Sequence, residues 1–249
     1  MATNPEDLLK LEFGGKTVEE NLQAQVDSGM LLKSEEGFYA LPEQERGVSP
    51  WLQVGNIPHL DCLFNFFLFD HAYSGSAIPH GCKECFKVVV LPKTLRQLLA
   101  LRSIQEKIEC ASKCGVEVDR VTTQDIYSGF FYCIGLGQAR EIYRIVREAV
   151  NADPVLGSDV QVHIKRGCTR FEIKCGPSDK YQFRPELPEL EAYLKTRFRR
   201  SRPADSNEIK KRLSTFNLWI ETAYRIGDDT YLDFTAGKRL YPKTVTYDP

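Results

Sequence analysis

Residues 85–167 constrain the fold more than any other stretch, because strand-like and helix-like hydrophobic patterns succeed one another there in a fixed order. "CFKVVVLP" reads as a valine-rich buried strand. "KTLRQLLALRSIQEKIECAS" follows as a helix, with Thr94 and Gln97 as a capping box and Leu95, Leu98, Leu99 and Ile108 near helical spacing. "GVEVDRVTT" alternates as a strand does, and "SGFFYCIG" is a second β-rich run. "LGQAREIYRIVREAV" is helical again, with Ala139, Ile142, Ile145, Val146 and Ala149 on its apolar side. "DVQVHIKRG" closes the unit as a strand that lines up Val160, Val162 and Ile164.

Strand, helix, strand, strand, helix, strand is the order of a ferredoxin-like βαββαβ core. The expectation is therefore an α+β fold in which both helices cover one face of an antiparallel sheet. Residues 1–84 form an N-terminal extension. In it Thr17, Glu20 and Gly29 mark the ends of one short helix, and "GFYAL" and "WLQVG" read as short strands. Residues 168–249 begin with a cysteine loop, "CTRFEIKC". A helix from Pro188 to Arg199, a basic linker and a second helix follow. That second helix places Ile209, Leu213, Phe216, Ile220 and Tyr224 in a stripe over 209–224, which calls for a partner surface, a homodimer mate or another protein.

The topology turns cysteine positions into chemistry. In such a sheet the first and last strands are antiparallel neighbours, so the start of one lies beside the end of the other. Cys82 and Cys85 stand at the start of the first strand, and Cys168 and Cys175 just past the end of the last. Four thiols from remote parts of the chain are thus expected at one edge, where they suit tetrahedral zinc or a [4Fe–4S] cluster. The six-residue gap in "CTRFEIKC" is no zinc knuckle, and the cluster is favoured. Phe86 and Phe171 would shield it, and Lys165, Arg166, Arg170 and Lys174 would offset its charge. His80 is read as a supporting group rather than a ligand. Cys110, Cys114 and Cys133 are expected at the opposite end of the sheet as packing residues.

Weaker catalytic candidates are His59 and His71, with Asp61, Cys62 and Asp70, in "PHLDCLFNFFLFDH". Asp125 and Tyr127, with Tyr132, are expected to return to the cysteine end and line a pocket there. "GLGQAR" lacks the third glycine of a dinucleotide fingerprint, and no GxxxxGK[ST], HExxH or GxSxG occurs.

A net charge of −1 gives no global field for nucleic acid, and no apolar stretch is long enough to span a bilayer. Eight cysteines without a secretory leader point to a soluble, cytoplasmic protein whose thiols serve metal or core. The expectation is an iron–sulfur protein with a redox or electron-transfer role, meeting a redox partner or small substrate at the metal. The alternative is a zinc-stabilised module whose basic C-terminal region contacts nucleic acid or protein.

Overall fold

The computed structural model describes residues 5–42, 47–55, 61–117, 125–200, 207–242 and 245–247. In chain order its elements begin with α1 (Pro5–Leu8), a hairpin of β1 (Glu12–Phe13) and β2 (Lys16–Thr17), and α2 (Val18–Asp27). Short strands β3 (Leu32–Lys33), β4 (Tyr39–Ala40) and β5 (Trp51–Val54) follow, then α3 (Cys62–Phe67). The central stretch is β6 (Cys85–Leu91), α4 (Leu95–Lys107), β7 (Ser112–Val116), β8 (Tyr127–Ile134), α5 (Gly135–Ala152) and β9 (Gln161–Arg166). The chain continues through α6 (Thr169–Cys175), α7 (Leu187–Arg197), β10 (Phe198–Arg199) and α8 (Glu208–Ile226). The fold is mixed α+β, and no described helix is long and apolar enough to cross a membrane.

The largest sheet has the order β5-β7-β8-β6-β9, antiparallel throughout. Its period-two alternation sorts side chains cleanly between the two faces. Val88 and Val90 of β6, Cys114 and Val116 of β7, Phe131 and Cys133 of β8 and Val162 of β9 share one core with Leu95, Leu98 and Leu101 of α4 and Val146 and Val150 of α5. Both long helices therefore cover the same face. Burying each such leucine or valine is worth about 1.5–3 kcal/mol, so this layer is the main apolar contribution to the domain. The opposite face carries Cys85, Lys87, Phe130, Tyr132 and Lys165.

Sequence features account for the element ends. Thr17 caps α2 in a complete capping box with Glu20. Thr94 accepts the Gln97 amide at 3.2 Å, while the Gln97 side chain reaches back one residue further, to the Lys93 N–H. A second core joins the two ends of the chain: Val18, Leu22, Phe64, Phe67 and Tyr73 pack with Leu190, Leu194 and Phe198.

Four expectations are corrected. The strand expected over "GVEVDRVTT" is β7, which begins three residues earlier, at Ser112; residues 118–124 lie outside the described residues. "CTRFEIKC" is the helix α6, not a loop. Ile145 is 49% exposed, because Ala139, Val146 and Val150 form the buried line of α5. On α8 the buried face is Thr215, Trp219, Thr222 and Ala223, leaving Ile209 and Leu213 in solvent. Phe216, Ile220 and Tyr224 of the expected stripe are partly buried against the same core, so the stripe lies one residue, about 100°, from the most buried line.

Candidate metal centre

The β6–β9 pairing sets the site. Phe86 lies opposite Arg166, so the start of β6 and the end of β9 are side by side. Gly167 turns the chain out of β9 with φ +63°, a left-handed conformation that glycine adopts without a Cβ penalty. Its N–H donates to the Cys85 carbonyl at 2.9 Å, which tethers Cys168, the N-cap residue of α6, beside Cys85.

Cys82 ends a short 3-10 turn, His80–Cys82, held from α7. The Glu191 carboxylate accepts from the His80 N–H at 2.5 Å, the Gly81 N–H at 3.1 Å and the Tyr73 hydroxyl at 3.1 Å. Glu191 is itself buried, and burial pushes its carboxyl above the usual range against the pull of these donors.

A cysteine outside the predicted set joins the site. Cys62 opens α3, whose N-cap Asp61 accepts the Phe64 N–H at 3.1 Å and pairs with Arg200. Cys62, Cys82, Cys85 and Cys168 are near enough that ionising one opposes ionising another. Cys82 is influenced by the other three, Cys85 by Cys168 and Cys62, and Cys62 by Cys168. Burial first, and then these like charges, raise Cys82 and Cys62; Cys85 is pushed up to about 11 by burial. Among the described residues, no three His, Cys, Asp or Glu side chains lie close enough together to hold a single metal ion.

Cys175 lies at the far end of α6, where its thiol donates to the Gly75 carbonyl at 3.5 Å. With Cys168, Phe66 and Tyr181 it borders the small apolar cluster of Phe69, Ile78, Cys82, Cys85 and Phe171, so the four predicted cysteines share that cluster. Phe171 is buried there against Phe69, at 4.5 Å between ring centroids. Phe86 is not part of this cluster; it packs on the helix-covered face.

The group at the centre is Lys87. It is buried, donates to the Cys168 thiol at 3.2 Å, and lies 5.5 Å from the Tyr132 ring centroid. Burial disfavours its ammonium, yet Cys168 and Cys85 beside it outweigh that and raise the lysine. Of the four cations named from sequence, Lys165 pairs with Glu172 but still feels Cys168, Arg166 donates to the Lys83 and Ser178 carbonyls, and Arg170 pairs with Asp70 at 2.7 Å. Lys87 was legible in principle, since it follows Cys85 by two in a strand and must share its face.

The remaining candidates do not converge here. His59 lies outside the described residues. His71 is buried against Phe67, with Nδ1 3.0 Å from Gln25 Oε1, and burial lowers its pKa. Asp125 and Tyr127 are at the opposite end of the sheet, because Val116 pairs with Tyr127 whereas Cys85 pairs with Ile134. The Tyr127 hydroxyl donates to Asp228 at 2.7 Å, a structural bond. Cys133 is the converse case: it pairs with a neighbour of Cys85, at the cysteine end rather than away from it, on the other face. No family model, curated protein or solved structure matches this chain.

Proposed function

We propose that the chain holds a thiolate-bound metal centre on Cys62, Cys82, Cys85 and Cys168, and that its occupant is a [4Fe–4S] cluster serving electron transfer or a redox reaction. The observation that carries this reading is that Cys82, Cys85 and Cys168 border one small apolar cluster while buried Lys87 donates to Cys168 at 3.2 Å, with Cys62 near enough to act on the ionisation of Cys82 and Cys85.

Sequence spacing favours a cluster over zinc, since Cys168 has no second cysteine at knuckle distance. A cubane is larger than an ion and accepts cysteines from separate loops. An N–H···S bond from Lys87, together with the Phe171 and Phe69 rings, is the kind of surrounding that tunes such a centre. Because burial holds Cys82 and Cys85 protonated, metal uptake releases protons and strengthens as pH rises.

The strand order β7-β8-β6-β9, with α4 and α5 on one face, supports the ferredoxin-like reading of residues 85–167. In that reading β5 is an added edge strand.

Protein purified without oxygen is expected to be brown, to carry iron and acid-labile sulfide in equal amounts, and to bleach on reduction. Colourless protein with one zinc per chain would replace the cluster by the zinc-stabilised module. Protein free of both metals would end the proposal.

A further inference from the structure

A second pair of thiols sits on the helix-covered face of the sheet. Ser112 pairs with Phe131 at the end of the β7–β8 ladder. One step further out, the Tyr132 N–H donates to the Ala111 carbonyl at 2.9 Å, so the same register continues past the end of β7. The next step sets Cys110 directly opposite Cys133. Because Ala111 and Tyr132 occupy the hydrogen-bonded position, Cys110 and Cys133 fall at a non-hydrogen-bonded one, where cross-strand side chains come closest, with Cα atoms about 4.5 Å apart. A disulfide asks for Cβ atoms about 3.5–4.5 Å apart, which this position approaches without refolding.

Side-chain contacts agree with the register. Cys110 Sγ lies 3.3 Å from the Tyr132 carbonyl, and the two thiols are close enough to act on each other's ionisation. Cys133 is fully buried, whereas Cys110 is half-buried at the bend after α4 and open to solvent on one side. The neighbouring Cys133 lowers the Cys110 thiol, while Cys110 and burial raise Cys133. One sulfur is thus the accessible nucleophile and the other the concealed resolving thiol. Cys114 has no such partner, since it faces Gly129 and Leu52.

We propose that Cys110 and Cys133 are a redox-responsive cross-strand pair, oxidised by low-molecular-weight disulfides. In the first step the Cys110 thiolate attacks one sulfur of the disulfide, forming a mixed disulfide and releasing one thiolate. The Cys133 sulfur then attacks Cys110 Sγ and releases the second. Two cysteine thiols and one small disulfide become one protein disulfide and two small thiols, the two protein protons passing to the released thiolates. The bond clamps the open end of β7 to β8, beside Tyr132, whose ring lies over Lys87 on the opposite face.

The test uses the full chain, incubated anaerobically with oxidised glutathione, alkylated after denaturation and mapped by mass spectrometry. The expected product is a peptide pair joining Cys110 to Cys133 and two hydrogens lighter than the separate peptides, with both residues lost from the alkylated pool. Cys114→Ser is expected to leave the link intact, and Cys110→Ser to abolish it while Cys133 remains free of glutathione. Recovery of Cys110 and Cys133 unlinked, with glutathione retained on Cys110, would overturn the proposal. So would a link from either residue to a different cysteine.

Discussion

Replacing Glu191 by alanine is expected to destabilise the protein by about 3 kcal/mol and to strip the metal centre of its Cys82 turn. The carboxylate satisfies two backbone N–H groups of the turn and the Tyr73 hydroxyl, all from α7. Hydrogen bonds to a charged group are worth about 1.5–3 kcal/mol each, and donors left buried without a partner carry their full desolvation cost. Part of that loss is returned, because burying the carboxylate is itself unfavourable. Glu191→Gln is expected to recover part of that loss, since the amide oxygen still accepts one N–H of the turn and no charge is buried, whereas the amide NH2 faces the other donor.

The pH dependence carries a definite sign. Burial raises the Glu191 carboxyl in the folded chain above its ordinary value of 4.5. The group therefore contributes stability in full below 4.5, and that contribution fades as pH rises through the higher folded value. Urea unfolding at a series of pH values, followed by circular dichroism, is expected to show this slope in the parent protein. Its absence in Glu191→Gln would attribute the slope to this group, and an unchanged slope would exclude that assignment.

Trp219→Ala is expected to cost about 3–5 kcal/mol, the usual penalty for emptying a fully buried large side chain. Trp219 is the largest side chain wholly out of solvent, and it fixes α8 to the edge of the sheet. Its Nε1–H donates to the Pro50 carbonyl at 2.8 Å, the same oxygen that accepts the Val116 N–H at 3.3 Å. That carbonyl lies so near Gly115 that an added Cβ would stand 2.1 Å from it, so β5 seats only against a glycine. Trp219→Phe keeps most of the volume and loses the hydrogen bond, for an expected cost of about 1–3 kcal/mol. Equal losses from the two variants, measured by denaturant midpoint, would contradict a cavity as the dominant cause.

Much of the central sheet was legible because its signals are local and strong. The valine run of β6, the capped helix α4 and the long amphipathic helix α5 each appear within a few residues of their expected positions. The pairing of β6 with β9, on which the cysteine argument rested, is present. What escaped was non-local or depended on direction. The loop before Tyr127 was placed at the cysteine end, although a chain that runs up β7 must turn at the far end. Cys62 was grouped with histidines and acids because nothing near it in sequence shows that α3 packs against the turn of Cys82. Helix α6 was missed because six residues between two cysteines carry too little periodicity to separate a helix from a loop. The face of α8 was legible in part: Phe216, Ile220 and Tyr224 do pack on the core, but its most buried line also uses Thr215, Thr222 and Ala223, which hydrophobicity alone does not single out.

The central claim is that Cys62, and not Cys175, completes the ligand set with Cys82, Cys85 and Cys168. The direct measurement is iron and zinc content per chain of Cys62→Ser and Cys175→Ser, purified without oxygen alongside Cys82→Ser. The account predicts that Cys62→Ser loses metal as fully as Cys82→Ser while Cys175→Ser keeps it. A metal-free Cys175→Ser beside a fully loaded Cys62→Ser would contradict it.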